Sequence, residues 1–531
     1  MTTVSQAPLW NRAFADQGQL GPTRCAGNIT REISLVALTG FLLAASGAII
    51  GQHALADVTI PYNEYSGSPT IGRGNATSTD PNDPGYGAMR IFIRKVMEYT
   101  DEHGPDALPV GQKVIFHPDQ KTDRAANALR AGVQFTNKQV NPKPQVSEPS
   151  WGFIYNSVPL GMNFEQMLGF LYDAKLDDQG RNGIEIAQSV LDSRGGTQVV
   201  FPVVGSTMQG SGYFPRPIGK PSCSSGDAEC EAQGNGIGLA GLCTSGWRIR
   251  YLSPPEDVIN RACDLLVERR AIPAKTLTFY PAVGGQSVLL PMQKGTIQGF
   301  EFVTPADDLL DFFPVKNPTS GRTLGDPDSG SLDCGAAAGF PLPKETKSTC
   351  SQNIGQLGAR YAHHPAWHQP FLLSWMHIDK DLWNSLSAQQ KAAILKAAKE
   401  SVLETYRATD SIVCKRLNDM LSINEAIQQR NLDGTPRLEG GKAVSAKITL
   451  ATWPEDALKV LREARDAYLA SLEGTHPSAR TDAQKDFSLV FSAWKRHADS
   501  VGASDTFAPG EFPGSVGLSA GAKCSLLSRP S

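Results

Sequence analysis

The sequence predicts an α/β fold with parallel or mixed sheets that are covered by helices. Segments of strand and helix character alternate between residues 113 and 204, and the same alternation returns between residues 247 and 303. Alternation of this kind favours sheets with helices packed on both faces. From residue 379 onward the chain becomes mainly helical. The long helices predicted there are residues 383–421, 454–472 and 483–498.

Local patterns predict the remaining elements. Residues 88–100 carry apolar side chains at helical spacing and predict an amphipathic helix. Asn163 is suited to be the N-cap of a helix over residues 163–172. We also predict a helix at residues 124–135 and a strand at residues 151–158. Further strands are predicted at residues 57–62, 113–117, 197–204, 247–252, 276–280 and 299–303, and further helices at residues 183–193, 255–268 and 286–294.

Composition limits the classes of function. The chain has 531 residues, a formal net charge of -3 and 40% hydrophobic residues, which is enough material for two or three domains. A protein that binds along nucleic-acid phosphates needs a concentrated basic face. No run rich in Lys and Arg is visible, so no nucleic-acid partner is expected.

The N-terminus indicates export. Residues 33–51 contain no charge and follow Arg31, and Ala54 and Ala56 supply small residues at the positions that a signal peptidase reads. This is typical of a secretory signal, so we predict a signal peptide over residues 1–56. An uncleaved membrane anchor is the alternative, since the stretch is nearly long enough to span a bilayer.

Cysteine usage agrees with export. Nine cysteines are present, and eight of them follow residue 56. An even number in an exported chain suggests disulfides, and the absence of CxxC argues against zinc or redox use. Eight cysteines allow about 105 pairings, so spacing alone leaves the connectivity open. Cys223 and Cys230 bracket one polar loop, and Cys334 and Cys350 bracket another, so we predict a disulfide across each loop. The pairs that remain would be Cys243/Cys263 and Cys414/Cys524.

Catalytic and metal motifs are weak. Residues 517–521 match GxSxG but lie in a Gly/Ser-rich tail without the strand and helix that this motif needs. Residues 236–241 match GxGxxG but follow a polar loop instead of a strand. Without an HExxH helix, a cluster of histidines is weak support for zinc. Those histidines are His363, His364, His368 and His377. We therefore expect no enzyme.

Arg250 is the strongest candidate binding residue from residue chemistry. It ends a short strand with aromatic and basic residues, and Arg248 lies on the same face because alternate residues of a strand share a face. An arginine at the end of a buried strand can hold a carboxylate through two parallel hydrogen bonds. A surface arginine is the alternative.

Five stretches, in this order, resemble the solute-binding proteins of TRAP transporters. The resemblance is closest to the branch that binds α-keto and related monocarboxylic acids. The stretches are 155–161 (YNSVPLG), 205–214 (GSTMQGSGYF), 246–250 (GWRIR), 284–305, which contains KGTI and GFEFV, and 364–369 (HPAWHQ) followed by 383–386 (WNSL).

The resemblance implies a two-lobed periplasmic-binding-protein fold with a hinge and long C-terminal helices. Lobe I would comprise residues 57–203 and about 303–375, and lobe II residues 204–302 and about 376–500. Residues 501–531 would form an irregular tail. Extra length relative to the family lies at about 221–239, 257–281 and 315–358.

The resemblance also implies a site. Arg250 would pair with the ligand carboxylate, and a sodium or calcium ion would be held nearby. Phe302 replaces a tryptophan of the family and would give its main-chain carbonyl, and Gln369 stands where the family often has glutamate. The ligand-binding residues implied are Arg250, Gln209, Phe302, Gln369 and Trp367, and the metal ligands implied are Gln209, Glu301 and Phe302.

The function implied is capture of a small organic carboxylate, an α-keto or hydroxy acid, in the periplasm. TRAP membrane permease subunits would be the partners, and the helix predicted at residues 383–421 would allow a homodimer. A periplasmic enzyme that acts on carboxylates and a ligand sensor would use the same cleft, so both remain alternatives.

Overall fold

The computed structural model describes most of the chain after residue 56, in segments. The described residues are 57–64, 87–101, 112–118, 131–134, 151–156, 158–207, 210–221, 235–251, 254–281, 288, 291–292, 295–301, 359–364, 366–421, 438–443, 448–474 and 476–503. The predicted signal peptide, the insertion at 315–358, Gln209, Phe302 and residues 517–521 lie outside them, as do most of the tail and of the insertion at 221–239.

The described strands form two large sheets and one small hairpin. The strands are β1 (Val58–Glu64), β2 (Val114–Pro118), β3 (Ala131–Gln134), β4 (Gln198–Ser206), β5 (Tyr213–Phe214), β6 (Arg248–Arg250), β7 (Thr278–Phe279), β8 (Gly299–Phe300), β9 (Tyr361–His364), β10 (Leu372–Asp379), β11 (Leu438–Glu439), β12 (Lys442–Ala443) and β13 (Thr449–Thr452). Strands β11 and β12 make the hairpin.

Helices cover the sheets. They are α1 (Ala88–Thr100), α2 (Phe164–Leu168), α3 (Gly183–Ser193), α4 (Gly238–Cys243), α5 (Pro255–Glu268), α6 (Lys380–Ser385), α7 (Ala388–Leu421), α8 (Glu455–Glu473) and α9 (Asp482–Ser500). A π-helical turn, Gly169–Asp173, extends α2, and short 3-10 helices occur at Gly152–Tyr155 and Pro477–Ala479.

The first sheet has the order β2-β1-β3-β10-β4, with β1 parallel to β2 and β3 and with β10 antiparallel to β3 and β4. Its two faces enter different cores because side chains alternate along a strand. Along β10, Leu373 and Trp375 pack with α2, α3 and α9, whereas Met376 and Ile378 pack with α1 and α7. The sheet is therefore buried on both faces.

The second sheet has the order β13-β9-β5-β8-β6-β7 and mixes parallel and antiparallel pairs. It has a separate core, which it shares with α4, α5 and α8. The chain passes from the first sheet to the second between β4 and β5, returns between β9 and β10, and passes to the second sheet again between β10 and β13. The predicted α/β class with parallel and mixed sheets and long C-terminal helices is confirmed.

Several predicted elements are confirmed closely. Helix α1 has the predicted bounds and buries the side chains of one face. Asn163 is the N-cap of α2: its side chain accepts a hydrogen bond from the Gln166 main chain, and the Gln166 side chain accepts one from the Asn163 main chain. This reciprocal capping satisfies donors at the helix start.

Three predicted elements are wrong. The helix predicted at residues 124–135 is contradicted by β3, which pairs with β1 and β10 in the interior of a sheet. Residues 151–158 were predicted as a strand, but Gly152–Tyr155 is a 3-10 helix. The single helix predicted at 383–421 is divided into α6 and α7, because Leu386 has extended backbone dihedral angles.

One of the four predicted cysteine pairs is confirmed. A disulfide joins Cys243, the last residue of α4, to Cys263 in α5. Both cysteines are fully buried. The other three pairs involve side chains outside the described part of the chain.

The described helices were also considered as membrane spans. Within the described segments, no helix combines the length and the apolar character that crossing a bilayer requires.

Candidate functional site

The carboxyl edge of the second sheet brings together residues from four segments. Strands β6 and β8 are parallel, with Arg250 opposite Phe300, so both end at this edge. Strand β5 is antiparallel to β8 and starts there, and β9 is antiparallel to β5 and ends there. Ligands of α/β proteins commonly bind outside the carboxyl ends of strands. This edge is therefore the candidate site.

Arg250 and Glu301 form a buried ion pair at this edge. Glu301 follows β8 directly, and its main-chain N–H donates to the Arg250 carbonyl oxygen at 2.9 Å. The Arg250 Nη1 lies 3.1 Å from Glu301 Oε2 and also donates to the Glu301 carbonyl oxygen. Both residues are 1% exposed. The register of β6 and β8 thus holds a guanidinium and a carboxylate together inside the protein.

His368 lies on the other side of the same carboxylate. Its Nε2 is 3.8 Å from Glu301 Oε1, and the residue is 1% exposed. Two aromatic rings, those of Tyr251 and Trp367, approach the imidazole edge to face. The sequence predicted His368 only as a member of a histidine cluster; no spacing rule indicated its position beside Glu301.

Ser211 links the segments that form the floor of the site. The Tyr251 hydroxyl donates to its carbonyl oxygen at 2.7 Å, and the Trp453 indole N–H donates to its hydroxyl at 3.0 Å. The Ser211 hydroxyl in turn donates to the His363 carbonyl oxygen. Burial, together with the charge of Glu301, raises the pKa of the Tyr251 hydroxyl well above its usual value, so this hydroxyl stays a donor.

Glu256 adds a second carboxyl group close to Arg250. It lies in the first turn of α5 and is half-buried. Burial and repulsion from Asp257 raise the pKa of Glu256 to about 7, while the positive charge of Arg250 acts in the opposite direction. At neutral pH this carboxyl group is therefore only partly ionised, and it adds less than a full negative charge near Arg250.

The other residues considered for the site differ in how far they are buried. Trp367 is fully buried and packs edge to face against Trp453 in the core below the second sheet. Gln369 is half-buried, and its main-chain N–H donates to the Ala366 carbonyl oxygen at 3.2 Å. Arg248 lies over the ring of Tyr280, at 4.9 Å from its centroid.

The histidines of the sequence cluster have separate surroundings. The His363 Nε2 accepts from the Ile218 main chain at 2.8 Å, and His377 lies in the other sheet, in β10. Burial lowers the pKa of His377 to about 4. Over the segments for which positions are described, no three His, Cys, Asp or Glu side chains converge as a metal-binding group.

A buried polar cluster fixes the end of β4. The Gly205 main-chain N–H donates to the Thr405 hydroxyl at 2.8 Å, and the Thr207 N–H donates to the Thr409 hydroxyl at 3.2 Å. The Thr207 hydroxyl donates to Asp410 Oδ1 at 3.1 Å. Burial raises the pKa of Asp410 to about 6, although this hydrogen bond opposes the rise. Helix α7 therefore holds the segment that leads from the first sheet to the second.

Comparison with known proteins finds similar structures but no similar sequence. No known family profile and no curated protein matches the sequence. This chain is similar in structure to periplasmic solute-binding proteins of TRAP transporters. One, from Bordetella bronchiseptica RB50, has calcium and picolinate bound; it is 12% identical, with a TM-score of 0.49 over 84% of this chain and 93% of the other.

Two further likenesses are to proteins described with pyruvate. The protein from Colwellia psychrerythraea, with calcium, is 12% identical, with a TM-score of 0.48 over 84% of this chain and 96% of the other. The protein from Pseudoalteromonas atlantica T6c, with sodium, is 13% identical, with a TM-score of 0.47 over 85% and 97%. Because these TM-scores are below 0.5, the likeness assigns neither ligand nor cation to this chain.

Proposed function

We propose that this chain is an extracytoplasmic solute-binding protein that captures a small organic carboxylate and delivers it to the membrane subunits of a TRAP-type transporter. The buried pair of Arg250 and Glu301 at the carboxyl edge of the second sheet is the observation that carries this proposal. A buried ion pair costs desolvation and adds little stability compared with apolar residues, so its presence at such an edge favours a binding role.

Arg250 is the proposed anchor of the ligand carboxylate. A guanidinium presents several N–H donors in a planar fork that matches a carboxylate, and it stays charged at any physiological pH. A charge-assisted contact of this kind contributes about 1.5–3 kcal/mol net. In this structure a carboxylate, that of Glu301, already contacts Arg250 Nη1. The guanidinium is thus positioned to hold an acid group.

The donor set at Glu301 fits a hard cation. Carboxylate, amide and carbonyl oxygens are the ligands that such ions prefer, and Glu301 supplies a buried carboxylate. Gln209 and the main-chain carbonyl of Phe302 would complete the set in the proposed site. A sodium or calcium ion held there would offset the charge of Glu301, so that Arg250 attracts an acidic ligand more strongly.

Access to the anchor needs a movement of the protein. Because Arg250 and Glu301 are each 1% exposed, an acid reaches them only if neighbouring segments move. We propose that the connections between the sheets form the hinge, with lobes near the predicted boundaries, and that the bound acid stabilises the closed form. Periplasmic location and a cleaved signal peptide belong to the same proposal.

Isothermal titration calorimetry with a panel of small 2-oxo, 2-hydroxy and unsubstituted acids tests the proposal. We expect binding of at least one acid, and weaker binding once sodium and calcium are removed. No heat from any acid, with or without these cations, would refute carboxylate capture. Chemical conversion of a bound acid would favour an enzyme instead. Arg250→Ala should lower the affinity for the acid at least about tenfold.

A further inference from the structure

Leu160 lies in the core of the second sheet, although Val158 and Met162, two residues away on either side, belong to the core that contains α2, α3 and α9. Its side chain is fully buried. The Gly161 main-chain N–H donates to the Val158 carbonyl oxygen at 3.0 Å and closes a turn. Residues 158–162, named the Leu160 turn, thus place a single side chain across the boundary between the two cores.

The backbone of Leu160 is left-handed, with φ at 53°. This conformation costs energy for a residue with a Cβ, so it persists only where surrounding contacts hold it. The Leu160 main-chain N–H donates to the Trp367 carbonyl oxygen at 2.6 Å, and the Leu160 carbonyl oxygen accepts from Arg465 Nη1. The turn is therefore held on one side by the connection between β9 and β10 and on the other by helix α8.

Arg465 is a buried arginine at the point where α8 passes from one core to the other. Ala464 belongs to the core of the second sheet, and Leu469 belongs to the core of the first. Only 7% of the Arg465 side chain is exposed, and burial lowers the pKa of its guanidinium, although Asp466 acts in the opposite direction. A buried charge needs hydrogen bonds to offset its loss of water. The carbonyl oxygens of the Leu160 turn supply acceptors for it.

The Leu160 turn contacts the segment that leads into the candidate site. Trp367, whose carbonyl oxygen accepts from the turn, is followed by His368, which lies 3.8 Å from Glu301 Oε1, and then by the predicted ligand-binding residue Gln369. Binding residues keep a productive position only when a further set of contacts fixes them. The hydrogen bonds from Arg465 to the turn and from the turn to Trp367 form such a set.

We propose that Arg465 is a positioning residue that acts through the Leu160 turn: it holds the main chain of Trp367 and so keeps residues 368–369 beside the proposed anchor. This inference rests on the proposed function, because it needs acid binding at Arg250. It assigns a role in ligand affinity to a residue of α8, a helix that supplies none of the residues predicted for the site.

Calorimetry with the acid of the panel that the wild type binds most tightly, together with hydrogen exchange measured by mass spectrometry, tests this role. Arg465→Met keeps a long unbranched side chain without donors, and Arg465→Lys keeps a charged donor. The contact with Asp466 matters little, since that side chain is 62% exposed. Arg496→Met is the matched control, because Arg496 of α9 also donates to a main-chain carbonyl oxygen, that of Leu176 in the core of the first sheet.

We expect Arg465→Met to weaken acid binding about three- to tenfold, because loss of one hydrogen bond lowers by that factor the fraction of molecules in which the segment is in place. Arg465→Lys should show a smaller loss, and Arg496→Met should keep the wild-type affinity. In Arg465→Met, hydrogen exchange should become faster in peptides that cover residues 158–164 and 366–371. Peptides from α1 and α3 should exchange as in the wild type.

An unchanged affinity in Arg465→Met, or an equal loss in Arg496→Met, would overturn the positioning role and leave the proposed function intact. Faster exchange throughout both cores would mean that Arg465 supports the fold as a whole, and would overturn the role as well. If Arg465→Met does not fold, wild-type affinity and exchange in Arg465→Lys would overturn it. If the wild type binds no acid of the panel, the proposed function fails, and this inference fails with it.

Discussion

Replacement of Arg250 and Glu301, singly and together, separates a binding role of the pair from a structural one. Their side chains are 1% and 2% exposed. Arg250→Met would leave the carboxylate buried without its guanidinium, and Glu301→Leu would leave the guanidinium without its carboxylate. Breaking a buried pair in this way costs about 3–5 kcal/mol of unfolding free energy. We expect each single variant to lose that amount.

The double variant should behave differently. Arg250→Met with Glu301→Leu removes both charges and leaves apolar side chains of similar volume. Replacement of a whole buried pair by apolar residues is often neutral or stabilising by about 1–4 kcal/mol. We therefore expect the double variant to be at least as stable as the wild type and yet to bind no acid. The coupling free energy between the two positions would then exceed the loss in either single variant.

Urea unfolding at one pH, without added acid, measures the stabilities, and calorimetry measures binding. The exposed pair of Arg261 and Glu268, with 2.6 Å between Arg261 Nη1 and Glu268 Oε1, is the matched control. Its double replacement should change stability by less than about 1 kcal/mol. If the buried double variant is as unstable as the sum of its single variants, the pair supports the fold and our explanation of its burial is wrong.

Three further predictions concern stability. Because the pKa of Asp410 is raised to about 6 from its usual 3.8, its contribution to the free energy of unfolding is present below pH 4 and is lost as pH rises through 6. Asp410→Asn should remove up to about 3 kcal/mol of that loss. If the wild type and this variant show the same change in urea stability between pH 4.5 and 7.5, the prediction is wrong. Gly205→Ala should cost about 1–3 kcal/mol in urea unfolding, since its Cβ would lie 2.5 Å from the Val402 carbonyl oxygen. Replacement of Cys243 and Cys263 by Ala should cost about 2–4 kcal/mol, and a midpoint unchanged by reduction would argue against it.

Helices with a local signal could be predicted closely from the sequence. The bounds of α1 follow from one apolar face, and the start of α2 follows from the Asn163 cap. The break before α7 also had a signal that the prediction missed. Ser387 and Gln390 cap each other: the Ser387 hydroxyl accepts from the Gln390 main chain, and the Gln390 side chain accepts from the Ser387 main chain. A serine followed by glutamine three residues later is a helix start.

Elements that depend on distant partners were predicted poorly. Strand β3 is four residues long and exists because β1 and β10 pair with it on either side. Residues 151–158 hold aromatic side chains that suggest a strand, but Trp151 and Tyr155 pack against each other and into the core as a turn of 3-10 helix. Sequence periodicity does not contain the pairing of β3 or the packing of Tyr155 against Trp375 of β10, because these contacts join segments far apart in the chain.

The candidate site was predicted in part. Sequence resemblance indicated Arg250 and Glu301 from separate stretches, and the register of β6 and β8 brings them together. Gln209 and Phe302 stay predictions, because they lie outside the described residues. The position of His368 had no signal in the sequence, since it depends on how the connection after β9 returns across the edge. Sequence patterns placed His368 only in a cluster of histidines, which is weak support for a metal site.

The buried position of Arg250 and the connection between β4 and β5 together limit how the candidate site could open. A guanidinium with 1% exposure cannot meet an acid from solvent unless neighbouring segments move. The fold confines that movement, because the Thr207 end of β4 is hydrogen-bonded to α7 and because Ser211, just before β5, is hydrogen-bonded to Tyr251, His363 and Trp453. The connection between β4 and β5 is thus fixed at both ends, to helix α7 at Thr207 and to the second sheet and its loops at Ser211. If this connection is part of the proposed hinge, we expect opening to leave both points intact and to concentrate the change in the residues between them.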